Sequence, residues 1–118
     1  TYSGELKGKK SLGFEPVEYM KKIPVKIIGD SMWPTYRDGE VVEFDHYIGE
    51  SIKIGDVIVF PHPHNSGMVL VKRVSLIYTT TCLAEGDNPD PTASTDSHNF
   101  GPIDISSIIA FRQYHIPE

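Results

Sequence analysis

The chain holds 118 residues, 39% hydrophobic and 23% charged, enough for one domain with its own apolar core and no need of disulfide staples. A net charge of −5, with the lysines and arginines scattered, excludes a nucleic-acid surface as the main role, because phosphate binding needs a basic stripe. The single cysteine, Cys82, excludes an internal disulfide and reads as a buried small hydrophobe, while ten glycines and nine prolines cut the chain into short segments and point to a mainly β protein.

In chain order, residues 1–23 read as a polar arm, with "KGKK" at 7–10 as solvated charge and "EPVEYMKK" offering at most one helical turn. Residues 24–118 form the expected domain. "PVKIIG" (24–29) alternates like a half-buried strand, followed by "EVVEF" (40–44) and "DVIVF" (56–60). "GMVLVKRVSLIY" (67–78) is a longer strand that bends midway, "TTTCLAEG" (79–86) its hairpin partner, and "ISSIIAFRQYH" (105–115) the closing strand. The segments between are rich in turn formers. One of them, "DNPDPTASTDSHNFGPID", is too long for a mere connector in so small a domain and calls for a task. The most apolar runs are four or five residues, far short of the ~20 that cross a membrane as a helix.

"GDSMWPT" (29–35) sets a serine between an acidic turn and a proline. Such a heptad serves equally as a corner or as the seat of a nucleophile, and the second use needs a base, since a serine hydroxyl is inert at neutral pH until its proton is taken. Lys72 is the notable candidate. It lies inside an apolar strand, sharing a face with Met68, Leu70 and Val74, while Arg73 shares the other with Val69 and Val71. A lysine held among apolar side chains loses solvation and becomes available as a neutral amine. The same pattern allows a lysine that snorkels to the surface, and the strand alone does not decide between them.

Taken together, "GDSMWPTYRDGEVV", "IKIGDVIVF", "VKRV" and "GDNPDPTASTDSHNFG" occur in the order found in signal-peptidase-like serine proteases of the S26 family, which work by a Ser–Lys dyad. The resemblance spans about residues 24–110. It implies a compact, single-domain S24/S26-type β fold of short, strongly bent strands. It also implies a serine endopeptidase in which Ser31 is the nucleophile and Lys72 the general base, with an acyl-enzyme intermediate and no metal or organic cofactor. Ser94 matches the hydroxyl that orients the lysine amine, Asp96 a structural acid beside the site, and Gly29, Met32 and Pro34 support the turn and its pocket. Gly86, Asp87 and Asn88 match the tight turn that opens the long loop, with a structural role.

The substrate implied is an extended precursor polypeptide, with small residues at the first and third positions before the cut; Ile28, Met32 and Leu70 are candidate pocket linings. The chain departs from many members at His98, where an arginine is common, and at Gly29, where several carry a hydroxyl for the oxyanion hole. Losing such a donor costs ~3 kcal/mol of transition-state stabilisation, which leaves the Ser31 backbone N–H and a second donor to serve. Other readings are a self-cleaving regulatory protease of the S24 group, against which stands the lack of an upstream Ala-Gly or Cys-Gly dipeptide, and an inactive β binding module. "PHPHNSG" offers only His62 and His64 to a metal, too few at that spacing. Two subtypes fit: the catalytic part of a membrane-tethered signal peptidase, acting on the outer face of a membrane, and a soluble, cytoplasmic maturation protease like those that trim nickel-type superoxide dismutase. The long loop suits the second better.

Overall fold

A computed structural model describes residues 22–90, 92 and 100–114. Among these residues seven strands form one antiparallel sheet: β1 (Lys22–Lys26), β2 (Val41–His46), β3 (Val57–His62), β4 (Asn65–Ile77), β5 (Thr81–Glu85), β6 (Ile103–Asp104) and β7 (Ala110–Arg112). Their order across the sheet is β1-β2-β7-β3-β4-β5-β6, so the last strand in sequence is inserted between the second and third. The mainly β fold expected from the punctuation of the chain is the one observed.

The central strand shows why "VIVF" reads as an unbroken apolar run. Side chains alternate across a strand, and β3 has an apolar cluster on each side. Val57 and Val59 join Ile27, Met32, Tyr36, Val42, Phe44 and Ala110, while Ile58 and Phe60 join Val74, Cys82, Ala84, Ile103, Ile108 and Phe111. Each large side chain so buried contributes ~1.5–3 kcal/mol. β1 and β2 see only the first cluster, and their exposure alternates accordingly.

Most strand ends shift by one or two residues from the sequence reading, with β1 beginning at Lys22 inside the expected arm, and two larger differences have a local reason. β1 ends at Lys26, three residues early, because the chain turns at Gly29, whose φ of +88° is one that side-chain-bearing residues rarely adopt. The expected closing strand at 105–115 is interrupted: residues 105–107 form a 3₁₀ turn in which the Ser107 hydroxyl donates to the Asp104 carbonyl at 2.7 Å and Ile108 N–H to Ile105 O at 3.1 Å. Serine bonding its own backbone competes with a strand ladder. The two residues before this turn form β6, a short strand paired with Thr81 and Cys82.

Candidate active site

The turn that carries Ser31 is the connection between β1 and β2. Backbone bonds close it at its base: Ile27 N–H to Glu40 O at 2.8 Å and Gly39 N–H to Ile27 O at 2.7 Å. Inside it, Trp33 N–H reaches Asp30 O at 3.1 Å and Tyr36 N–H reaches Met32 O at 2.9 Å. Met32 and Tyr36 drop into the first apolar cluster and anchor the turn to the core. Pro34 is exposed and follows a cis peptide from Trp33.

A second segment fastens this turn from outside. Asp87 accepts from Arg73 twice, Nε at 2.9 Å and Nη2 at 2.7 Å, and from the Thr35 hydroxyl at 2.6 Å. Its neighbour Asn88 donates its backbone N–H to Ser31 O at 3.0 Å and its side-chain amide to Asp30 O at 2.8 Å. Arg73 also donates to the Gly55 carbonyl at 2.7 Å. Burial works to raise the Asp87 carboxyl, but the bonds from Arg73 and Thr35 and the guanidinium charge outweigh it and hold the group below its ordinary value. The turn opened by Gly86 is thus a clamp on the turn of Ser31, and neither Thr35 nor Asn88 stands out in the sequence as part of one.

Ser31 and Lys72 line one cleft of about 240 Å³, with Val25, Lys26, Ile27, Ile28, Met32, Val69, Leu70 and Val71. Its walls come from the end of β1 and from β4, which lie four strand spacings apart in sheet order. A flat sheet would hold them ~19 Å apart, so the sheet curls until its first strand faces its fifth. Ser31 is half-buried, and Lys72 is only 2% exposed. The amine therefore does not snorkel into bulk water. Across the ladder Lys72 faces Ile58, a fully buried core residue.

β4 changes neighbours at this point. It pairs with β3 from Asn65 to Arg73 and with β5 only from Arg73 onward. Among the described residues, its second edge is therefore open beside Val69, Leu70, Val71 and Lys72, and β1 at the end of the sheet has an open outer edge as well. Ile28, 75% exposed, and Val69, 54% exposed, form apolar lips.

The backbone donors near Ser31 are in different states. Gly29 N–H is already engaged by Asp38 Oδ1 at 2.8 Å, whereas Ser31 N–H has no acceptor among the described residues. Ser94, Asp96 and His98 lie outside the described residues. His62 and His64 meet ring to ring at 6.0 Å, and the described residues contain no group of three or more metal-ligating side chains. No helix among them is long and apolar enough to cross a membrane.

Residues 18–76, half of the chain, match the family model described as signal peptidase, peptidase S26. No curated protein matches the chain.

Proposed function

The chain belongs to the signal peptidase, peptidase S26, family, and on that premise we propose that it is a serine endopeptidase that cleaves a precursor polypeptide through a Ser31–Lys72 dyad. The observation that carries the reading is that a half-buried serine and a lysine withdrawn from solvent line the same small, largely apolar cleft. Burial disfavours the charged ammonium, and a neutral amine is a competent general base near neutral pH. Lys72 takes the proton of Ser31 as the hydroxyl attacks the scissile carbonyl, forming the new C–O bond. The same proton goes to the leaving amine as the C–N bond breaks, and a water deprotonated by Lys72 then releases the acyl group.

The edges of β1 and of the first half of β4 that are open among the described residues give the substrate its place in this reading. An extended segment laid along such an edge gains main-chain hydrogen bonds whatever its sequence. Selection falls to the part of the cleft lined by Ile28, Met32 and Leu70, which in this reading takes the small side chains that the family resemblance implies at the first and third positions before the cut. Ser94 orients the amine in this scheme and Asp96 supports it. The "EGDNPDPTASTDSHNFG" loop favours a maturation protease of the kind that removes the N-terminal extension of nickel-type superoxide dismutase.

A quenched-fluorescent peptide with alanine at those two positions, and an extension-bearing precursor beside it, test the reading. Wild-type protein cleaves, and Ser31→Ala and Lys72→Met abolish turnover while circular dichroism stays unchanged. The wild-type rate rises with pH as the amine loses its proton. Turnover by either variant, or a rate flat from pH 5 to 9, overturns the dyad.

A further inference from the structure

We propose that Asn88 is a positioning residue for the oxyanion donor, its side-chain amide holding the peptide that joins Asp30 to Ser31 so that the Ser31 N–H faces the reacting carbonyl. The inference rests on the peptidase reading above and deepens it. The carbonyl of that peptide accepts twice, from Asn88 Nδ2 at 2.8 Å and from Trp33 N–H at 3.1 Å. The peptide is trans, since Trp33 to Pro34 is the cis bond recorded for the described residues. In a trans peptide the C=O and N–H point in opposite directions. Fixing the carbonyl toward Asn88 therefore fixes the Ser31 N–H away from it, and among the described residues that N–H has no acceptor.

Two features make this donor matter here. Position 29 is a glycine with no hydroxyl to offer, and its backbone N–H is committed to Asp38. Among the described residues the Ser31 N–H is thus the uncommitted donor on the nucleophile itself. A donor stabilises the developing oxyanion only when it is aimed before the reaction begins. Asn88 supplies that aim from 58 residues away in the chain. Both ends of its amide are assigned by their partners: Nδ2 must donate to a carbonyl, and Oδ1 accepts from Asp90 N–H at 2.8 Å.

This division of labour gives a clean test. Asn88→Asp keeps the shape and the oxygen that caps Asp90 N–H but deletes the donor to Asp30 O. Asn88→Ala deletes both, and in each variant the backbone bond from residue 88 to Ser31 O is retained. The alanine-containing peptide is the substrate, and a peptide boronic acid of the same sequence is the probe of tetrahedral geometry. We expect Asn88→Asp and Asn88→Ala to lose kcat alike, by ~10–100-fold at the alkaline plateau, with KM nearly unchanged and boronate affinity falling in proportion. Reading the plateau removes any effect of the new carboxylate on the titration of Lys72.

If Asn88→Asp retains wild-type kcat and only Asn88→Ala loses it, the residue is a turn cap and the proposal fails. It also fails if kcat falls without loss of boronate affinity. Should wild-type protein leave every peptide intact, the peptidase reading itself falls and this inference with it, an outcome distinct from the other two.

Discussion

Two turns carry side chains that the sequence offers for chemistry, Ser31 on one and His62 and His64 on the other, and they are built in opposite ways. The turn at 27–40 is held by partners far along the chain, Asp87 on Thr35 and Asn88 on Asp30, at separations of 52 and 58 residues. The turn joining β3 to β4 closes on itself. His64 N–H donates to His62 Nδ1 at 3.0 Å and Gly67 N–H to Asn65 Oδ1 at 3.3 Å, each two residues apart, and the His62 ring rests on Phe100 at 4.9 Å. A side chain fixed from several directions by remote groups can be aimed to within fractions of an ångström, whereas a turn bonded locally, with one ring contact to Phe100, has fewer such references. Preorganisation here resides in the tertiary bonds and not in the identity of the turn residues.

Removing the outer clamp is the largest break in that contrast. Asp87→Ala leaves the guanidinium of Arg73, 28% exposed, without its carboxylate and Thr35 without its acceptor. We expect a loss of about 2–4 kcal/mol, below the full penalty for a wholly buried pair because of the residual exposure, seen as a lower urea midpoint at unchanged m. A loss under ~0.5 kcal/mol would mean that the clamp is ornamental.

Acid loosens the same clamp more gently. The Asp87 carboxyl sits below its ordinary value of 3.8 in the folded chain, so its contribution is complete above that value and drains away as pH falls through the depressed folded value. The gap in urea midpoint between wild type and Asp87→Ala should be constant from pH 7 to about 5 and shrink below pH 4. A gap that persists unchanged at pH 2 contradicts the assignment.

On the other turn the effect should be smallest. His64→Ala keeps the backbone N–H that bonds His62, so stability should move by no more than about 0.5 kcal/mol in a urea titration, and peptide cleavage by less than twofold. A larger change in either would show that the hairpin turn does take part in the site.

How much of this was legible in the sequence follows from the range of the interactions. "DVIVF" reads directly as a strand because burial on two faces leaves an unbroken apolar run, and Lys72 stands out because the same physics makes a charge conspicuous there. Ser31 is conspicuous once its neighbours are read with it as a motif. β6 escaped because two residues of "GPID" carry no period and owe their conformation to Thr81 and Cys82 across a gap in sequence. The bonds of Asp87 and Asn88 escaped for a related reason: a side chain bonding a backbone carbonyl 58 residues away leaves no spacing to detect, and "GDN" looks the same whether its turn is a free corner or a clamp.

The lone cysteine gives the second cluster a chemistry of its own. Cys82 is fully enclosed between β4 and β6, and burial pushes its thiol up to about 11. At physiological pH it is neither nucleophilic nor reachable, so alkylating or oxidising reagents meet it only when that side of the sheet parts. The molecule thus carries one intrinsic tag on the face opposite the Met32 cluster, silent while closed and reactive on opening.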